Sequence, residues 1–210
     1  GDRGHHEADE AEIEEREQAD QPALAPEASR PFGLLPEEDR ADILEQAAQT
    51  GDIEDAYPLT LLQAGMIFHA AFAPDSPIYH DITNIHFRAP IDPEVLRRAL
   101  GELIDRHPTL RTTFDLVRYS QPLQIVRRAG VVGLTVDDLR AMPADEQAVA
   151  VAAWLEAEKG RGFDLERLPL VRFHLQLRSE DTFQLFVSFH HAILDGWSEA
   201  TMLTELFHQY

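Results

Sequence analysis

Apolar positions recur along this chain with two periods, and the switches between them divide it into elements. From Phe183 to Phe189 they alternate. Phe183, Leu185, Val187 and Phe189 share one face, while Gln184, Phe186 and Ser188 share the other, as in a strand. Leu170 to Leu177 alternates likewise, and "RSEDT" between the two reads as a turn. Tyr79 to Arg88 predicts another strand, with shorter ones at Leu110 to Phe114, Leu123 to Arg127 and Leu134 to Asp137.

Helical spacing fills the intervals. "LLPEEDRADILEQAAQT" carries Pro36 and acidic residues at its start, with Gly51 as a stop. "DIEDAYPLTLLQAGMIFHAAF" predicts a turn at Tyr57-Pro58 and a helix beginning near Thr60. Asp92-Pro93 opens an amphipathic helix with Leu96, Leu100, Leu103 and Ile104 on one face, ended by His107-Pro108. "ADEQAVAVAAWLEAEKG" is a further helix, closed by Gly160. Ser198 is the expected cap of a last helix with Met202, Leu203, Leu206 and Phe207 inward. That helix reaches the final residue without a stop signal, as expected of a chain cut within a domain. The expected class is α/β (α+β), a mixed sheet flanked by helices.

Charge separates the first quarter from the rest. Residues 1–56 hold 18 acidic and 4 basic side chains, a balance of −14, which leaves −6 of the total −20 for the other 154 residues. Residues 1–30 are rich in Glu, Asp, Ala and Pro, too polar to offset chain entropy by burial, and are expected to be an acidic, flexible linker. His5 and His6 within them are expected to be solvated. Residues 31–51 are expected to be a linker helix. Nothing resembles a basic stripe, which argues against nucleic acid. No apolar run spans a bilayer and no secretory pattern begins the chain, so a soluble, cytoplasmic protein is expected, with no membrane partner. Cysteine is absent, which excludes disulfides, thiol nucleophiles and thiolate-bound metals. G-x-S-x-G elbows, phosphate loops and dinucleotide fingerprints are also missing.

The remaining chemistry lies in "FVSFHHAILDGWSEATML", Phe186 to Leu203. His190 and His191 come where the strand alternation runs out, just before Gly196 and a helix N-terminus. Such a junction is flanked by rigid elements and suits a reactive group. Histidine suits proton transfer near neutral pH. A lone histidine at a strand end is usually structural, but two with Asp195 and Gly196 at this spacing favour a site. A metal site would need further ligands, because adjacent residues on extended chain point apart. Gly196 lets a substrate approach the backbone closely.

His190-His191-Ala192-Ile193-Leu194-Asp195-Gly196, continued by Trp197-Ser198, resembles the HHxxxDG hallmark of the condensation domains of non-ribosomal peptide synthetases. "YPLTLLQAGMIFHA" is similar to the opening helix of that family, "RHPTLRTTF" to its second signature and "FDLERLPLVRFHL" to the segment before its active-site strand. The similarities run in family order over residues 52–210. They imply the N-terminal lobe of a fold like chloramphenicol acetyltransferase, with the C-terminal lobe absent.

The resemblance implies an acyltransferase. The amine of a carrier-bound aminoacyl thioester attacks an upstream acyl or peptidyl thioester, both held on phosphopantetheine arms of carrier domains, with no cofactor bound by this domain. Upstream and downstream carrier domains, an adjacent adenylation domain and the other lobe are the implied partners; the isolated lobe would be inactive. His191 matches the catalytic candidate, which accepts a proton or orients the amine. His190 packs inward. Asp195 would pair with an arginine, Arg106 or Arg111. The Gly196 N–H would approach the thioester, and Trp197 and Ser198 would border the substrate channel. Epimerisation, a dual epimerising and condensing role, and a non-catalytic carrier-docking module remain the alternatives.

Overall fold

The computed structural model describes residues 30–72 and 78–210; the acidic segment 1–29, with His5 and His6, lies outside them. Among the described residues, five helices, a 3₁₀ turn and seven strands follow one another, and each boundary has a local cause. Helix α1 (Glu37–Thr50) begins after Pro36 with Glu37, Glu38 and Asp39 in its first turn, and ends at Gly51, which adopts φ 68°. Strand β1 is Ile53–Pro58 and helix α2 is Leu61–Phe72. After β2 (His80–Arg88), helix α3 (Pro93–Arg106) is capped by Asp92, whose carboxylate accepts the Glu94 and Val95 amides, with Pro93 in the first turn.

The 3₁₀ turn Pro108–Arg111 leads into β3 (Thr112–Asp115), then β4 (Leu123–Arg127) and β5 (Leu134–Asp138). Helix α4 is Ala144–Lys159; β6 (Val171–Leu177) and β7 (Thr182–His190) follow, and α5 (Gly196–Gln209) is last.

The strands form two sheets, ordered β1-β4-β3 and β2-β7-β6-β5. All pairs are antiparallel except β5 with β6, so the larger sheet is mixed. Strand β7 is interior and buried on both faces. One face of the larger sheet packs Phe173, Leu175, Leu185, Val187 and Phe189 against Leu96, Leu100 and Leu103 of α3 and Met202 and Leu206 of α5. The other face, covered by α4, is partly polar. There Trp154 stacks on His174 at 4.5 Å and lies 4.3 Å from Phe186.

Three elements differ from their expected form. The segment expected to turn at Tyr57-Pro58 is strand β1, with a register shift between Ile53 and Asp55 against β4. Its acids hide the strand pattern, and one of them, Asp55, has a local use: its carboxylate accepts the Phe32 amide at 2.6 Å. Leu110 and Arg111 lie in the 3₁₀ turn rather than in β3. The segment expected as a linker helix is docked, because Phe32, Leu35 and Ile43 form a second core with Ile53, Ala56, Leu123 and Ile125 of the smaller sheet. Among the described residues no helix is long and apolar enough to cross a membrane.

Candidate active site

His190 and His191 end the same buried strand and diverge. His190 is still part of the sheet: it pairs with His80, and its amide donates to the Leu170 carbonyl at 3.1 Å. Its ring is buried, and Nδ1 accepts the Ala192 amide at 3.1 Å. A nitrogen that accepts cannot carry the proton, so neutral His190 holds its hydrogen on Nε2. Burial, with His80 and His191 nearby, pushes this imidazole down to about 4.

His191 turns to the opposite side, as the strand period requires. Its side chain is 39% exposed, and Nδ1 lies 2.6 Å from Oδ2 of Asp81. Its amide donates to the Tyr79 carbonyl at 2.8 Å. Tyr79 has φ 66°, a backbone region rarely occupied by a bulky residue. Among the described residues no group of three or more histidines or acids is arranged to hold a metal ion.

The loop beyond β7 is clamped from two sides. Gln63 of α2 donates to the Ala192 carbonyl at 3.1 Å, and Thr109 of the 3₁₀ turn donates to the Ile193 carbonyl at 2.8 Å. Segments far apart in sequence, the "YPLT" helix and the "RHPTLR" turn, thus converge on the "HHAILDG" loop. A buried polar network underlies it. Glu158 of α4 accepts from Arg172 Nε and Ser188 Oγ, both at 2.7 Å, and His80 Nε2 meets Ser188 Oγ at 2.7 Å. The Arg172 guanidinium lies 3.7 Å over the Phe163 ring. Burial, then the Arg172 charge, lowers the His80 pKa, while Glu158 and Asp81 act the other way.

The ion pair expected between Asp195 and Arg106 or Arg111 is not formed. Asp195 caps α5 instead: its carboxylate accepts the Ser198 amide at 2.8 Å, and it is exposed. Those hydrogen bonds hold its carboxyl below the usual carboxylate range. The expected cap, Ser198, therefore lies inside the first turn. Arg106 reaches Glu205 on α5, which also meets His107 Nε2 at 2.7 Å. Arg111 is buried with its donors already engaged. It bonds the Ile104 carbonyl at 3.1 Å, the Asp105 carbonyl at 3.2 Å, Glu54 at 2.7 Å and the Arg127 carbonyl. Those carbonyls include the open end of α3, where a cation is favoured.

Gly196 opens α5, and a Cβ there would meet nothing within 4 Å. The space over its backbone is free, and the residue is not in the left-handed region. Trp197, 86% exposed, and Ser198 border a cavity of about 300 Å³ with His107, Thr109 and Glu205; His191 is not on its wall. The fold thus gathers His190, His191, Asp195, Gly196, Trp197 and Ser198 at one corner. Arg106 sits beyond that cavity's Glu205, and Arg111 joins α3 to the smaller sheet. The site residues not foreseen are Asp81 and Tyr79. Asp81 and His191, 110 positions apart, are brought together by the β2–β7 register, and no local pattern reports that.

Residues 53–210 match the family model of the condensation domain. AMB antimetabolite synthetase AmbE of Pseudomonas aeruginosa is 36% identical over 188 residues, which is 89% of this chain and 9% of that protein. Bacitracin synthase 1 of Bacillus licheniformis is 31% identical over 169 residues, 80% of this chain and 3% of its own length. The crystal structure of the starter condensation domain of rhizomide synthetase RzmA matches with TM-score 0.67 at 26% identity, covering 75% of this chain and 39% of that one. A four-domain non-ribosomal peptide synthetase, AB3403, shares the fold at 17% identity, with TM-score 0.64 over 75% of this chain and 12% of its own. This chain therefore spans less than a tenth of the two curated synthetases and about two fifths of the solved starter domain. With its family match, its relatives and its fold in agreement, the chain belongs to the condensation-domain family of non-ribosomal peptide synthetases.

Proposed function

We propose that this chain is the histidine-bearing lobe of a catalyst that forms a peptide bond between two carrier-bound thioesters. The observation that carries the reading is the His191 ring, open to solvent at the end of a strand that is otherwise buried on both faces. An amine from the downstream aminoacyl thioester attacks the carbonyl of the upstream acyl or peptidyl thioester. The new C–N bond forms as the C–S bond breaks; one proton leaves nitrogen and the thiolate sulfur takes one up. His191 accepts that proton or orients the amine. Such proton transfer contributes roughly 10²–10⁴-fold. Holding both phosphopantetheine arms in one passage supplies the larger share, about 7–11 kcal/mol in the best-aligned cases.

Upstream and downstream carrier domains deliver the substrates, an adenylation domain loads them in the cytoplasm, and this lobe binds no cofactor of its own. A second lobe completes the passage. Leu61, Leu62, Phe68 and Phe72 on α2, and Trp197 beside the site, are large exposed apolar side chains that such a lobe would cover. The roles of Gly196, Trp197 and Ser198 along that passage belong to the same proposal.

The test uses the full-length synthetase with loaded donor and acceptor carriers. His191→Ala is expected to lower the yield of condensed thioester by roughly 10²-fold or more, read by intact-protein mass spectrometry, while carrier binding persists. Near-normal yield removes the histidine from the mechanism.

A further inference from the structure

We infer that Asp81 is a positioning residue for His191, fixing which ring nitrogen faces the substrate. The inference rests on the proposed role of His191 in condensation. Its basis is the 2.6 Å contact between His191 Nδ1 and Asp81 Oδ2. A carboxylate only accepts, so a neutral imidazole at that distance carries its hydrogen on Nδ1 and leaves the Nε2 lone pair unprotonated. Nε2 is then the nitrogen that takes a proton from the attacking amine or orients it. Once protonated, the ring is an imidazolium beside a carboxylate, and the charge that develops during attack is met where it forms.

The elements around Asp81 support this placement. Strand register pairs His80 with His190 and Asp81 with Phe189, so Asp81 lies diagonally across from His191 on the same face. His80 points to the other face and is held there at 2.7 Å by Ser188, within the Glu158–Arg172 network. Just before it, Tyr79 in its left-handed conformation aims its carbonyl at the His191 amide, 2.8 Å away. The Tyr79 hydroxyl is 3.2 Å from His69 on α2. Residues 79–81 thus grip His191 by backbone and ring together. The nearby Asp195 carboxylate is engaged with the Ser198 amide. Strained backbone that persists at such a point is a recurrent feature of functional sites.

The experiment is a double-mutant cycle in the full-length synthetase with loaded carriers. Asp81→Ala is expected to reduce kcat roughly 10–10³-fold with apparent KM for both carriers little changed and the melting temperature preserved, because the lost group acts on the transition state. Asp81→Glu, which keeps the carboxylate, is expected to recover part of that loss; no recovery argues against positioning. In the His191→Ala background, Asp81→Ala is expected to cost nothing more. An additional loss there means that Asp81 acts independently of His191, and the inference fails. Full activity of Asp81→Ala beside an inactive His191→Ala overturns the inference and leaves the condensation reading intact. Full activity of His191→Ala overturns that reading, and the positioning role falls with it.

Discussion

The ring of His190 accepts the Ala192 amide inside the fold, and burial beside His80 and His191 pushes its imidazole down to about 4. An unfolded histidine titrates near pH 6.5, so as pH falls below that value the unfolded chain takes up a proton that the folded chain refuses. Stability is therefore expected to fall from about pH 6.5 to about pH 4 and to level off below, once folded His190 also protonates. The contribution is about 3 kcal/mol at most. His190→Asn keeps an acceptor for the Ala192 amide and removes the titration. Denaturant midpoints measured across that range should decline less steeply for the variant; an unchanged slope would assign the acid sensitivity elsewhere, for instance to His80. His191 differs from His190 by one position and faces the opposite way, which the strand period alone makes legible. Its partner Asp81 is not legible, because a lone aspartate in an alternating stretch carries no mark of what it will face.

At the scale of elements, the capping aspartates of α3 and α5 do the same work, although only one is evident in the sequence. Asp92 precedes a proline and a clean apolar stripe, which mark its cap. Asp92→Ala is expected to cost about 0.5–2 kcal/mol in chemical denaturation, and no measurable cost would mean that another group satisfies the first turn. The motif instead points Asp195 toward a buried arginine. It is exposed and serves α5, while Arg111 is satisfied by carbonyls and Glu54. Asp195→Ala should therefore fray the first turn of α5, seen as faster hydrogen exchange at the Ser198 amide, with the core around Arg111 untouched. A global collapse of the melting transition would restore the arginine pairing. The mismatch has a physical origin: spacing within a motif says which residues are near in sequence, but an arginine finds its acceptors through the packing of α3 against the smaller sheet.

At the scale of the whole molecule, two cores hold the corner bearing the site. The larger joins the mixed sheet to α3 and α5, and the smaller joins α1 to β1, β4 and the turn at Phe32. Ile43 of α1 is fully buried, so Ile43→Ala is expected to cost about 2–5 kcal/mol in equilibrium unfolding of the chain. A cost near zero would make α1 a detached linker after all. The order of the helices and of strands β2 to β7, the buried faces of α3 and β7, and the histidine pair at the end of a strand were determined by the sequence by itself. Each rests on a period or cap written within a few residues. Strand β1, the docking of α1, the partners of Arg111 and Asp195, and the meeting of Asp81 with His191 were decided only by the tertiary structure. Those contacts join segments whose approach depends on sheet order and register, and these follow from how all the apolar faces are buried together rather than from any one stretch of chain.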